Sequence, residues 1–249
     1  MTFDQTALAS AASAILFAAT FLFGHSVHPL QSIVRDRRTI VSFGAGVSTA
    51  YLFVRMMPEL AEAQEILGQE GSKVTNSGMI AYLFALIGFL LVYGLDHFRR
   101  NRAVGINEKS AGTRSNSQAI SSRNLGMMLY VFLLTYVLVQ DTDASASATL
   151  QYAIAISFHF LAMDHSLRDE FGDEYDKRVR FVFAAMCLLG WLAAQLIDLP
   201  APATALLLAF VSGGVIVNSA IMELPTDRDG RFLPFALGSL LFGLVLMAV

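Results

Sequence analysis

The apolar residues of this chain fall into eight runs, each long enough to be a candidate for crossing a bilayer. They cover 6–24, Ile40–Pro58, Gly78–Asp96, Leu125–Gln140, Gln151–Phe171, Phe181–Leu199, Ala203–Leu224 and Phe232–Val249. A helix needs about 20 apolar residues to span the ~30 Å hydrocarbon core. Inside lipid each backbone N–H and C=O must be bonded within the segment, which a helix achieves. The chain is therefore expected to be an all-α, polytopic membrane bundle of eight transmembrane helices, forming a single domain over 1–249.

Composition agrees with that expectation. Hydrophobic residues make up 55 % and charged residues only 15 %, with mean hydropathy +0.56, whereas ordinary soluble domains carry about 25 % charge. The net charge of −3 says little, but its placement says more. The leader MTFDQ holds Asp4 and no Lys or Arg, so 6–24 reads as a helix and not a secretory signal. Of 17 basic residues, 15 lie between runs one and two, three and four, five and six, or seven and eight, counting Arg168 at the end of run five. The others are Lys73, on the opposite side, and Arg55, inside a run. Basic loops stay in the cytoplasm, which puts both termini outside a plasma (inner) membrane crossed many times. Residues 98–124 are rich in Ser, Asn, Gly and Arg without an apolar period, and predict a flexible cytoplasmic loop. Cys187, the one cysteine, excludes an intramolecular disulfide and a Cys-based zinc site. Nothing points to nucleic acid; the expected partners are the lipid bilayer, a metal ion and, as a homodimer, a second copy of the chain.

Function is sought where charge interrupts the apolar runs. Gln151–Phe171 reads QYAIAISFHFLAMDHSLRDEF and carries His159, Asp164 and His165. Ionisable groups at membrane depth face a bundle interior or a watery path, and each is a functional hypothesis by default. The alternative ends the helix near Ala162 and leaves Asp164 and His165 among headgroups. Arg55 precedes Pro58 and Glu59, and its spacing predicts an i, i+4 pair with Glu59. Glu59, Glu62, Glu65 and Glu70 mark a short amphipathic surface stretch, and Arg168–Arg180 a solvated helix end and turn. His25 and His28 share a helix face at the end of run one, as interfacial residues or as metal contacts.

Runs two and seven echo each other. Pro58 follows Gly46 by twelve residues and Pro225 follows Gly213 by twelve, each in a Met- and acid-containing end. The two runs cross the membrane in opposite directions. Paired Gly/Pro-marked segments of opposite orientation are what inverted-repeat transporters show.

Together these features resemble the ZIP (Zrt/Irt-like) family of metal transporters. The resemblance covers nearly the whole chain: eight spans with both ends outside, and a long variable loop after the third. GVSTAYLFVRMMPEL is similar to the family's second helix, which ends in a His-Leu-Leu-Pro-Glu pattern, and Ser212-Gly213-Gly214 through Gly243 to its last two. It implies a 3+2+3 inverted-repeat arrangement around central helices four and five, with the metal site between those two. Divalent Zn, Fe or Mn would then be the substrate, not a resident cofactor. His159 matches the family's helix-five His, but Met163 stands four residues later and Asp164 one beyond. Helix four has no His; Tyr136 and Gln140 take the i, i+4 spacing and Asp141 follows. The candidate ligands are thus His159, Met163, Asp164, Gln140 and Asp141. On a regular helix 159 and 163 share a face while 164 lies roughly 140° away, so Asp164 joins them only through a kink or π-bulge. A bare His/Met pair would favour a softer ion such as Cu(I).

Three functions compete. The first is a divergent ZIP-like transporter of a divalent cation, which is not an enzyme. The second is a non-transporting ZIP-like partner or regulator that has lost the metal site. The third is an intramembrane hydrolase using His159, Asp164 and His165 around a metal-bound water, with His25 or His28 supplying a further imidazole.

Overall fold

The computed structural model describes residues 5–24, 37–70, 79–106, 125–140, 146–219 and 231–248. Within them the chain forms eight helices and no strand. They are α1 (Gln5–Phe23), α2 (37–70), α3 (Ile80–Ile106), α4 (Leu125–Gln140), α5 (Ala146–Phe171), α6 (Tyr175–Leu196), α7 (Ala201–Asn218) and α8 (Phe232–Met247). Three of these, α1, α6 and α7, are long and apolar enough to cross a membrane. Shorter apolar helices occupy Ile80–Leu95, Leu125–Val137 and Phe232–Met247.

Two helices run further than composition predicts. α2 does not stop at Pro58: its middle turn, Leu52–Met56, widens into a π-helix just before the proline. A wider turn absorbs the N–H that proline lacks, and the helix resumes as Met57–Glu70. The acidic stretch is amphipathic, as expected. Leu60, Ala63 and Leu67 turn inward against Ala81, Ala85, Ala205 and Ala209, while Glu62 and Glu65 face out. α3 continues to Ile106, past Phe98, so the first part of the predicted loop is helical; residues 107–124 lie outside the described segments.

The exterior is apolar and the polar side chains are inside. Leu83 and Leu90 on α3, Leu192 on α6, and Leu240 and Leu244 on α8 are exposed. His159, Asp164, Asn218, Thr135 and Ser212 are buried. Leucine on the outside is ordinary where lipid is the solvent and costly in water. Inner hydroxyls are satisfied within their own helices: Ser13 donates to the Ala9 carbonyl (2.7 Å), Thr135 to Val131 (3.1 Å) and Ser212 to Leu208 (2.8 Å).

α1 packs on α5 and α6, α4 on α6, α2 on α8 and α5, α3 on α7, and α7 also on α4 and the second half of α2. Phe17 and Phe21 of α1 lie 5.2 Å from Phe160 of α5, and Phe21 stacks on Phe183 of α6 at the same distance. Three crossings are close enough to require glycine; in one, a Cβ on Gly190 of α6 would strike the Phe132 carbonyl of α4, and the other two each involve a pair of glycines. A Cβ on Gly46 would strike the Phe235 carbonyl and the Ser239 amide of α8, and one on Gly238 the Phe43 carbonyl of α2. A Cβ on Gly213 would strike the Ala85 carbonyl and the Phe89 amide of α3, and one on Gly88 the Phe210 carbonyl of α7.

Candidate functional site

His159 is fully buried, and three helices meet around it. The Tyr130 hydroxyl of α4 lies 3.2 Å from its Nε2, with ring centroids 6.0 Å apart. The Asn218 amide nitrogen, from the end of α7, is 3.2 Å from Nε2 and 3.4 Å from Nδ1. Near-equal distances to both nitrogens set the amide over the imidazole face, since in the ring plane it would overlap Cε1. Tyr130 and Asn218 are each 3 % exposed, so this is a buried polar cluster in an apolar bundle. Burying such groups is tolerable only where they find polar partners. Met163, one turn along α5 on the His159 face, is buried in the surrounding core. Two turns the other way, the Tyr152 hydroxyl donates to the Leu134 carbonyl of α4 (3.1 Å), with Tyr51 of α2 edge-on to its ring.

The other predicted ligands do not join this cluster. Gln140 closes the far end of α4, ten residues beyond Tyr130 on the same helix. Its amide donates to the Ile197 carbonyl (2.7 Å), the Ala194 carbonyl (3.4 Å) and the Tyr136 hydroxyl (3.1 Å), and Tyr136 donates to Ile197 (2.9 Å). The pair at i, i+4 thus caps the C-terminus of α6, whose last carbonyls have no intrahelical partner. Asp141 lies outside the described residues, as do His25 and His28.

Asp164 belongs to a third place. α5 is a regular α-helix across it, with no kink or π-bulge to bring it beside His159. The Tyr175 hydroxyl donates to its Oδ1 (2.5 Å), and Arg168 approaches both carboxylate oxygens (3.3 Å) while also bonding Asp176. The Arg168 guanidinium stands 4.9 Å over the Tyr175 ring. Gly24, at the end of α1, allows this approach; a Cβ there would be 2.7 Å from Asp164 Oδ2. The solvated helix end and turn expected over Arg168–Arg180 is present at Gly172, with Asp173, Lys177 and Arg178 exposed, but Arg168 and Tyr175 turn inward. Gly172 ends α5 with φ 52°, and α6 then starts on a π-helical turn, Tyr175–Val179, that buries Tyr175 completely.

Sequence reasoning missed Tyr130, Asn218 and Tyr175 as site residues. Asn218 did carry a signal: an amide at the end of an apolar helix must find a partner. Tyr130 carried none, because a tyrosine among bulky apolar residues reads as core, and Tyr175, flanked by Glu174 and Asp176, reads as part of a solvated turn. Among the described residues no three His, Cys, Asp or Glu side chains gather to hold a metal. No family model matches the sequence, and no curated protein matches it significantly.

Proposed function

We propose that this protein is a multi-pass membrane transporter built on a ZIP-like 3+2+3 inverted repeat, and that a divalent metal cation crosses it past His159. The observation that carries the reading is the equivalence of the two paired-glycine crossings. In one, Gly46 meets a carbonyl and the amide four residues on, at Phe235 and Ser239; in the other, Gly213 meets Ala85 and Phe89 in the same way. Phe43 precedes Gly46 by three residues and Phe210 precedes Gly213 by three, and each takes the opposing glycine on its carbonyl. Exchanging α1 with α6, α2 with α7, α3 with α8 and α4 with α5 returns the same principal pairs: α2–α8 with α7–α3, α1–α5 with α6–α4, and α2–α5 with α7–α4. Such a two-fold exchange, between helices that cross in opposite senses, supports alternating access around a site held by the central pair.

His159 stands between those central helices and presents a borderline ligand suited to Zn²⁺, Fe²⁺ or Mn²⁺. One observation favours the second reading, a ZIP-like partner or regulator without transport: Gln140 and Asp164 are both committed to internal bonds. Metal binding separates the two. Chelator-washed wild-type protein is expected to take up a divalent ion and His159→Ala to lose it. Equal, negligible uptake by both would leave the non-transporting reading.

A further inference from the structure

We infer that the outer face of α3 binds an anionic phospholipid, with its acyl chains along Leu86 and Leu90 and its phosphate among the basic residues that follow Tyr93. The inference rests on the multi-pass membrane reading and not on transport.

α3 is longer than its apolar part. It runs 27 residues from Ile80 to Ile106, about 40 Å, while the apolar helix stops at Leu95. The hydrocarbon core measures ~30 Å, so the last turns leave it still helical and enter the headgroup layer. Leu86, Leu90, Tyr93, His97 and Arg100 are spaced i, i+4, i+7, i+11 and i+14, which places them on one helix face. The first four are exposed, on the side away from Gly88 and its close approach to α7. The Tyr93 and His97 rings stack with centroids 5.9 Å apart. An exposed tyrosine at the end of an apolar stripe marks the boundary between acyl chains and headgroups.

Charge selects the lipid. Residues 96–124 hold six basic residues against Asp96 and Glu108, a net +4 in a chain whose total is −3. Three of the six, Arg99, Arg100 and Arg102, fall on α3 itself, within three turns of Tyr93. Arginine is the residue best matched to phosphate oxygens, and a zwitterionic lipid brings a cation of its own to the same level. The leucines of the stripe supply what a free phosphate does not need, an apolar bed for acyl chains.

The test is native mass spectrometry of the full-length protein released from mixed phosphatidylglycerol and phosphatidylcholine, with thermal unfolding run on every variant. Each basic residue at an anionic surface is worth about fivefold, so wild type should retain phosphatidylglycerol over phosphatidylcholine by about tenfold or more. Combining Arg99→Gln, Arg100→Gln and Arg102→Gln should abolish that preference. Combining Lys109→Gln, Arg114→Gln and Arg123→Gln removes the same charge from the segment that follows and should keep it. Equal losses in the two triple variants would make the attraction a diffuse surface field, and no preference in wild type would leave no attraction at all; either result overturns the site. So would a quantitative disulfide between copies carrying Leu90→Cys, which would give the stripe to a second copy, since the native Cys187 is buried. Recovery of wild type in the aqueous fraction would instead sink the membrane reading, and the site with it.

Discussion

Gly213 rests its Cα against the carbonyl of Ala85, leaving no room for a Cβ between α7 and α3. Gly46 meets Phe235 in the same way between α2 and α8. The obstacle in each case is backbone, so an added methyl group has to push helices apart. Gly213→Ala and Gly46→Ala are each expected to lose about 1–3 kcal/mol of stability, the usual cost of overpacking. Gly68→Ala is the control, since nothing lies within 4 Å of its Cβ position and alanine favours helix. Thermal unfolding in detergent checks this: the first two should melt earlier than wild type and Gly68→Ala should not. Unchanged melting of Gly213→Ala would remove the close crossing.

Tyr175→Phe keeps the ring under Arg168 and removes only the hydroxyl that donates to the buried Asp164 carboxylate. Hydrogen bonds to charged groups contribute about 1.5–3 kcal/mol. The variant is expected to be destabilised by that order. The measurement is again thermal unfolding, and a wild-type melting point would mean that Arg168 alone suffices for Asp164.

The helical class, the helix positions and the Arg55–Glu59 pair were legible in the sequence, because apolar run length and i, i+4 spacing are local properties. The glycines flagged at Gly46 and Gly213 also lie at the tight crossings. What the sequence could not show was which helix ends meet. Gln140 and Asp164 sit on α4 and α5, and their partners are Ile197 and Tyr175, set by tertiary packing. Nor does composition reveal that α2 survives Pro58, since the π-turn at Leu52–Met56 has no simple residue signature.

Arg55 Nε stands 2.7 Å from Glu59 Oε1, with the arginine side chain 43 % exposed. The Glu59 side chain is 15 % exposed, and a partly exposed helical pair of this spacing contributes about 0.3–0.5 kcal/mol. A double-mutant cycle with Arg55→Ala and Glu59→Ala should give a coupling of that size. A coupling several times larger would show that the pair is held in a dry site.

In the proposed topology the loops after α1, α3, α5 and α7, which carry most of the basic residues, share one side. A reporter inserted near Ser115 should be cytoplasmic and one fused after Val249 external. Finding both on the same side would contradict eight crossings.

The central claim is that a divalent cation passes His159. It is tested most directly by flux: purified protein in sealed liposomes, a metal-sensitive dye inside, and Zn²⁺, Fe²⁺ or Mn²⁺ added outside. The account predicts dye signal above that of empty liposomes for wild type with at least one of these ions, and a return to the empty-liposome rate for His159→Ala. Wild-type flux that His159→Ala leaves unchanged, or no flux of any of the three ions, would contradict it.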